Sequence, residues 1–550
     1  MRHAVPLSFS PDGSELLVSS DVPGSDQLFV WPGMRQVTFD EGKVTGQFLP
    51  DGRILVERDE GGNERVQLYV GDEPLVVDPR YKHETPHAAG RTLAYATTRR
   101  NEIDFDVVAR DLETGEEQTF EFQGYVGVAA ISPDGRRIVA YRAGERSGDD
   151  DLYLCDVDTG DVTHLTPHDE AAEYVSPCFR GDEVVWATNE GRDTLAVGDH
   201  ASQWDLTCFA DPAGRSLLIV ANEDGYSRLT IGDVEVPLPG RGVVESPVFS
   251  PDGSKLAFAF SSPTQPKDVY LYDLDAGETM RLTTVAEPPP GLVEPTLHRF
   301  ESFDGESVPV FLFMPTGTGP FPVFVMVHGG PEAQWVPEWH VNYVPLAQYL
   351  VSRGYAVAVP NVRGSTGYGK RYEHLDDVRL RLDSVRDLEA LHAWLAARPE
   401  IDASRAVVYG RSYGGYMVLA ALAFQPELWA AGIESVGISS FVTFLENTSP
   451  YRRAVREREY GSLEHDRDFL VEASPITHVD AIRAPLFIQH GANDPRVPLG
   501  ESEEIARVLQ EKGIRCELVV YPDEGHSIAK LSNRIDSFTR AVAFLDEVLG

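Results

Sequence analysis

The spacing of apolar and polar residues divides the chain into two halves. In the first half, short apolar strands follow a turn that reads Phe-Ser-Pro-Asp-Gly at residues 9–13 and 249–253 and recurs in variant form at 48–52 and 131–135. Proline fixes φ at the start of such a turn, and glycine supplies the positive φ at its end. A second strand usually follows and leads into an Asp-x-Gly hairpin turn, as at residues 158–160. This pattern predicts repeated antiparallel hairpins.

The turn recurs with a nearly constant period. Degenerate copies at residues 87–90, 178–181 and 209–214 bring the total to seven, and the starts lie about 30 to 46 residues apart. That period is typical of the four-stranded blades of a β-propeller. We therefore predict a seven-bladed β-propeller over residues 1–284. The main competing structure, a two-sheet sandwich, does not explain a steady period.

The pattern changes after a linker at residues 285–296, which contains three consecutive prolines at 288–290. Short apolar strands now alternate with helix-length segments, for example 378–397, 502–511 and 532–549, which is the signature of βαβ units. We predict a second domain over residues 297–550 with an eight-stranded, mostly parallel sheet. Asp304-Gly305 is a hairpin turn, so the second strand should run antiparallel to the first. The predicted strands are 298–303, 308–313, 323–328, 355–360, 406–410, 431–436, 486–490 and 518–521.

Composition narrows the range of partners. Hydrophobic residues make up 42% of the chain, which excludes a disordered protein, and the formal net charge is -39. A surface with this negative charge repels phosphate backbones and anionic lipid, so we expect neither nucleic acid nor membrane as a partner.

There is no apolar run of ~18 residues, and the first residues lack the apolar stretch of a signal peptide, so we expect a cytoplasmic protein. The four cysteines form no CxxC pair, and we predict neither a metal site nor a cofactor.

Residues 410–414 form the one G-x-S-x-G match in the chain. A predicted strand precedes the match and a helix-forming run at 415–424 follows it. Glycines on both sides allow a sharp strand-to-helix turn that lifts the serine hydroxyl above the sheet edge. In this context the motif predicts an α/β-hydrolase domain with Ser412 as its nucleophile.

A serine hydroxyl is a weak nucleophile without an adjacent base. The α/β-hydrolase order places an acid and then a histidine after later strands, and Asp494 and His526 occupy those positions. His526 would take the serine proton, and Asp494 would hold the imidazole in the required tautomer. Asp523 and Glu524 are rival acids, but they stand too close to His526 in sequence. His490 is the rival base, although it ends a predicted strand.

The tetrahedral intermediate of acyl transfer needs hydrogen-bond donors for its oxyanion. The backbone N–H of Tyr413 is the first candidate, because it follows the nucleophile at the start of a helix. The loop after the third strand of the domain reads His-Gly-Gly-Pro at residues 328–331. We expect the second donor to be the Gly330 N–H, since glycines let the backbone approach closely.

Taken together, these motifs resemble the prolyl oligopeptidase family of serine peptidases, and most closely its acylaminoacyl-peptidase branch. The motifs that carry the resemblance are residues 328–331, 361–369, 410–415, 490–498 and 524–526. The resemblance implies that the propeller limits substrates to short peptides. It also implies that Arg496 binds a substrate carbonyl and that Val497 lines the pocket for the residue before the cut.

One feature separates this chain from other branches of the family. Prolyl oligopeptidases proper and dipeptidyl peptidases carry a tyrosine where His328 stands here. Dipeptidyl peptidases also hold the substrate amine with two glutamates, for which Glu170 and Glu173 are the candidates.

We therefore expect a serine peptidase that hydrolyses short peptides, N-acylated ones among them, through an acyl-enzyme. The alternatives are a carboxylesterase with the same triad, a dipeptidyl-peptidase-like exopeptidase, and a binding scaffold with an inactive hydrolase domain. A homo-oligomer is compatible with the sequence.

Overall fold

A computed structural model describes residues 2–550. The chain forms two compact units. The first comprises residues 2–60, 64–287 and 368–370, and the second comprises residues 61–63, 288–367 and 371–550.

The first unit contains seven antiparallel sheets formed by consecutive strands, which confirms the seven predicted blades. The strands are β1–β4 (Ala4–Phe9, Leu16–Ser20, Gln27–Trp31, Arg35–Gln36), β5–β8 (Val44–Phe48, Ile54–Arg58, Gln67–Val70, Glu73–Val76), β9–β12 (His83–Ala89, Thr92–Thr97, Asp106–Asp111, Glu117–Phe120), β13–β16 (Val126–Ile131, Arg137–Ala143, Asp150–Asp156, Val162–His164), β17–β19 (Tyr174–Arg180, Glu183–Thr188, Ala196–Val197), β20–β23 (Asp205–Ala210, Leu217–Glu223, Tyr226–Ile231, Val234–Glu235) and β24–β27 (Val243–Phe249, Lys255–Ser262, Gln265–Asp273, Glu278–Arg281). The fifth blade has three strands rather than four.

The repeated turns form as their sequence predicts. In the first turn the Asp12 carboxylate accepts the Ser14 N–H at 3.0 Å, and Asp252 accepts the Ser254 N–H at the same distance in the last. Gly13 ends its turn at φ +71°. Ala4 and Leu16 of the first blade share an apolar cluster with residues of blade seven, so the first and last blades pack against each other.

The second unit is built on the predicted eight-stranded sheet, in the order β28-β29-β31-β30-β32-β33-β34-β35. Its strands are β28 (Thr296–Glu301), β29 (Ser307–Phe313), β30 (Phe321–Val327), β31 (Ala356–Pro360), β32 (Ile401–Arg411), β33 (Ala431–Ser435), β34 (Leu486–Gly491) and β35 (Cys516–Tyr521). As expected from the Asp304-Gly305 turn, β29 runs antiparallel to both of its neighbours, and the other pairs are parallel.

Nine α-helices accompany this sheet in the described part of the chain: α1 (Val344–Ser352), α2 (Lys370–Glu373), α3 (Arg381–Ala396), α4 (Tyr413–Phe424), α5 (Phe441–Asn447), α6 (Pro450–Tyr460), α7 (Arg467–Ala473), α8 (Leu499–Glu511) and α9 (Leu531–Leu549). The predicted helix at 378–397 begins with a 3₁₀ turn, Val378–Leu380, before α3. Most of α4 is buried, because it packs into the main apolar core of the domain. Among residues 2–550, we find no helix with the length and apolarity needed to cross a membrane.

Candidate active site

Ser412 occupies a sharp turn between β32 and α4. Its backbone has φ 57° and ψ -120°, a combination that L-residues rarely adopt. A Cβ at Gly410 would lie 2.2 Å from the Gly414 carbonyl oxygen, and one at Gly414 would lie 2.3 Å from the Val327 carbonyl oxygen. The two glycines of the motif are therefore required by close backbone packing, and the strained serine is held between them.

Asp494 and His526 form a hydrogen-bonded pair from two separate loops. The imidazole Nδ1 lies 2.7 Å from Asp494 Oδ2, and the aspartate side chain is fully buried. The other carboxylate oxygen, Oδ1, accepts the backbone N–H groups of Arg496 and Val497 at 2.8 and 3.1 Å. Both oxygens of the carboxylate thus have fixed partners, which holds the side chain in one orientation.

The protonation of this pair follows from its surroundings. Burial opposes ionisation of Asp494, but the facing imidazole, His490 and the Arg496 N–H together outweigh burial and hold the pKa of the carboxyl below its usual value. Burial, together with the nearby charges of Arg496 and Arg411, lowers the pKa of His526 more than the Asp494 carboxylate raises it. At neutral pH the pair is therefore an ionised aspartate beside a neutral imidazole, whose Nε2 is free of hydrogen because Nδ1 donates to Asp494.

Ser412 and His526 line the same cavity, which has a volume of about 430 Å³. Gly329 and Gly330 form part of its wall, and a Cβ at Gly329 would lie 3.3 Å from the Ser412 Cβ. Tyr413 is the first residue of α4, so its N–H is one of the unpaired donors at a helix N-terminus. The predicted nucleophile, the predicted base and Gly330 thus line one cavity, and Tyr413 directly follows the nucleophile in the sequence.

The substrate-binding residues that the resemblance implies also line the cavity. Val497 and Arg496 lie on its wall together with the apolar side chains of Ile438 and Phe444. Thr448 donates to the Arg496 carbonyl at 2.9 Å, which ties this loop to the segment between α5 and α6. The loop that carries Arg496 is therefore held by Thr448, between α5 and α6, as well as by Asp494.

The rival residues have other partners. Asp523 pairs with Lys530 at 2.6 Å. The carboxylate of Glu524 accepts the backbone N–H groups of Ala529 and Lys530 at 2.9 and 3.0 Å, and so holds the loop after His526 rather than the imidazole. In the propeller, Glu173 accepts a hydrogen bond from the Asn189 amide at 2.8 Å, and Glu170 is exposed.

An ion pair in the cavity wall was not predicted. Arg456 of α6 lies 3.2 Å from Glu332, and both side chains line the cavity. Burial opposes ionisation of Glu332, but Arg456, Arg458 and Arg381 together outweigh burial and lower the pKa of the carboxyl. The sequence does not predict this contact, because Glu332 and Arg456 are single charged residues that lie 124 positions apart.

A second unpredicted cluster surrounds the Tyr413 side chain beneath the turn. Its hydroxyl lies 2.8 Å from Ser384 Oγ, 3.1 Å from an Arg381 guanidinium nitrogen and 3.2 Å from Asp376 Oδ2. Arg381 also pairs with both Asp376 and Glu459. Asp376, Asp377 and Glu459 come close enough to one another to suggest a cation site, but the Arg381 guanidinium already pairs with two of these carboxyl groups. The cluster therefore anchors the residue that carries the first predicted oxyanion donor.

Fold and site together define a propeller-bearing α/β-hydrolase with a serine at its nucleophile turn. The sequence model of the prolyl oligopeptidase family matches residues 339–550. This match confirms that residues 339–550 resemble the prolyl oligopeptidase family.

Curated relatives cover both halves of the chain. Dipeptidyl aminopeptidase BIII of Pseudoxanthomonas mexicana is 28% identical over 99% of this chain and 86% of the relative. Dipeptidyl peptidase family member 6 of Caenorhabditis elegans is 30% identical over 64% of this chain. The acylamino-acid-releasing enzyme of Rattus norvegicus is 23% identical over 87% of this chain. The matches span 51% and 58% of the lengths of these last two relatives.

Solved structures share the fold over the whole chain. A puromycin-hydrolyzing peptidase of Mycobacterium tuberculosis aligns with a TM-score of 0.85 at 20% identity, over 100% of this chain and 94% of its own. The acylaminoacyl peptidase of Pyrococcus horikoshii aligns with a TM-score of 0.68 at 20% identity, over 98% of this chain and 87% of its own. At these identities the likeness establishes the architecture.

Proposed function

We propose that the protein hydrolyses short peptides through an acyl-enzyme formed on Ser412. In the first step, His526 Nε2 removes the proton from the hydroxyl while the oxygen attacks the peptide carbonyl. The imidazole then gives this proton to the departing amine. Asp494 stabilises the imidazolium that forms between the two transfers. Water completes the cycle by attacking the ester with the same base.

The oxyanion of each tetrahedral intermediate would be held by the N–H groups of Tyr413 and Gly330. The strained turn places the first of these at the N-terminus of α4, where the helix dipole also favours negative charge. The Gly330 carbonyl accepts a hydrogen bond from the Tyr460 hydroxyl at 3.2 Å, which helps to fix the loop that carries the second donor.

We assign Arg496 to a substrate carbonyl and Val497 to the pocket for the residue before the cut. Val497 is held by two bonds, its N–H to Asp494 and its carbonyl to His490 at 3.0 Å. This supports the assignment, because a wall fixed in this way presents one shape to the substrate.

The observation that carries the proposal is the 2.7 Å bond between Asp494 and His526 at a cavity that Ser412 also lines. We expect S412A to lose peptide hydrolysis while its fold, followed by circular dichroism, stays unchanged. A fluorophosphonate probe should label the unaltered protein at Ser412, and S412A should stay unlabelled. Full hydrolysis by S412A would refute the proposal.

Among substrates, we propose N-acylated short peptides as the leading class. The family branch that the motifs resemble supports this choice. The relative from Pseudoxanthomonas favours a second candidate, release of dipeptides from a free amino end, since it spans nearly all of this chain. A matched pair of peptides that differ only in an N-acetyl group separates the two by their kcat/KM values. Mass spectrometry of the products then shows where each peptide was cut.

A carboxylesterase remains the alternative reaction, because the same three side chains hydrolyse esters through the same intermediate. Short-chain p-nitrophenyl esters, assayed beside the acyl-peptides, compare the two directly. The cytoplasmic location expected from the sequence stays a prediction, and so does the homo-oligomer with which the sequence is compatible. Cell fractionation and light scattering would test them.

A further inference from the structure

A second buried histidine faces the carboxylate of the candidate pair. His490 stands at the end of β34 and is 1% exposed. Its Nε2 lies 3.8 Å from Asp494 Oδ2, the oxygen that accepts the hydrogen bond of His526. The proposed reaction gives His490 no step of its own, although it lies this close to the acid.

The hydrogen bonds of His490 define its tautomer. Its Nε2 lies 3.0 Å from the Val497 carbonyl oxygen, which can only accept, so Nε2 carries the hydrogen. Burial lowers the pKa of His490, more than Asp494 raises it, so the ring is neutral and Nδ1 is bare. Nδ1 lies 2.8 Å from Ser502 Oγ in α8. The serine hydroxyl is therefore the donor, and it selects the tautomer in which Nε2–H points toward Val497 and Asp494.

The charged and titratable groups around His490 agree with this arrangement. Asp494, His526 and Glu503 act on it electrostatically, and Glu503 is exposed. The fully buried Glu434 carboxyl interacts with Ser502, and burial raises its pKa to about 8, so it is neutral at pH 7. Asp494 is thus the buried anion that the Nε2–H dipole meets.

We propose that His490, oriented by Ser502, is a positioning residue for Asp494. Its Nε2–H holds the carbonyl of Val497, whose N–H is held by Asp494 Oδ1, so that one imidazole fixes both the acid loop and the cavity wall. The dipole of the same N–H offsets part of the negative charge of the Asp494 carboxylate. This inference rests on the proposed function, because His490 acts through Asp494 and His526.

The test compares H490L, H490Q and S502A in the full chain. We expect kcat to fall roughly 10- to 100-fold in H490L, because small displacements of a catalytic group have effects of that size. In H490Q the side-chain amide still donates to Val497, and most of the activity should return. S502A should fall in the same direction by a smaller factor.

The pH profile separates positioning from packing. In H490L the Asp494 carboxylate loses the N–H dipole of His490 and therefore stabilises the His526 imidazolium more strongly. The pKa of His526 rises as a result. The acid limb, which is the part of the profile where kcat/KM increases with pH, then moves to higher pH. A packing defect alone would lower the melting temperature without moving that limb. S537A is the matched control. It removes a buried serine hydroxyl that donates a hydrogen bond to Gln489. Gln489 precedes His490 in β34, so its side chain lies on the opposite face of the sheet. The acid limb of S537A should stay in place.

The inference is overturned if H490L and S502A keep kcat within about two-fold of the unaltered protein with an unmoved acid limb. It is also overturned if H490Q is no more active than H490L. If H490L does not fold, the acid limb of kcat/KM and the kcat of S502A decide whether His490 positions Asp494. S412A is assayed in parallel: retained activity there would contradict the proposed function itself, whereas its loss leaves the role of His490 to be judged separately.

Discussion

Replacing Asp494 with asparagine should nearly abolish hydrolysis, and the structure explains why. The Oδ1 atom accepts two backbone N–H groups, from Arg496 and Val497, so the carboxamide oxygen of an asparagine must take that place. Its NH₂ group then faces His526 Nδ1, which must become the acceptor. The hydrogen of the neutral imidazole moves to Nε2, and Nε2 can no longer take the Ser412 proton.

The size of the effect follows from that tautomer change. Loss of a positioned general base lowers rates by about 10²–10⁴-fold, and a wrong tautomer in a serine triad by about 10⁴-fold. We therefore expect kcat of D494N to fall by about 10³–10⁴-fold on a chromogenic acyl-peptide. The Asp494 side chain is fully buried and isosteric with asparagine, so circular dichroism should show an intact fold.

D523N is the control, because Asp523 pairs with Lys530 on the surface, and its kcat should change little. A folded D494N protein with kcat within about ten-fold of the unaltered protein would refute the assignment of the acid. Equal losses in both variants would refute it as well.

Three further predictions concern pH, stability and salt. Because burial lowers the pKa of His526 and the neutral imidazole is the active form, kcat/KM should rise with pH along an acid limb below the usual histidine value of about 6.5; a limb above that value contradicts this reading. Y413F removes a hydroxyl that Ser384, Asp376 and Arg381 all contact, so urea unfolding should show a loss of about 1–3 kcal/mol; an unchanged midpoint would contradict the role of that cluster. With a formal net charge of -39, the melting temperature should hold or rise from low to molar KCl, and a steady fall would count against charge repulsion.

The fold was predictable where the sequence signal is local. The recurring turns depend on residues within five positions of each other, and so does the nucleophile turn, whose two glycines meet backbone atoms directly. The fifth blade differs from its expected four strands, because the chain between Glu183–Thr188 and the next blade contributes a single short strand, Ala196–Val197. No apolar run in that stretch indicates a fourth strand.

The parts of the site that the sequence did not reveal depend on tertiary contacts. Glu332 and Arg456 meet only when α6 packs beside the loop after β30. The Tyr413 cluster likewise joins α3 to the start of α4. In the sequence His490 is a rival base at the end of a strand, whereas its contacts with Ser502 and Val497 show a side chain held within the core. Charged and polar partners of this kind have no fixed spacing along a chain.

The most direct measurement of the central claim is the identity of the residue that carries the acyl group during turnover. The protein is mixed with the p-nitrophenyl ester of an N-acylated amino acid and quenched in acid within the first turnovers. It is then digested and mapped by mass spectrometry. We expect one acyl group per chain, on Ser412, that disappears once the substrate is exhausted. Turnover with Ser412 unmodified, or with the acyl group on another side chain, would contradict it.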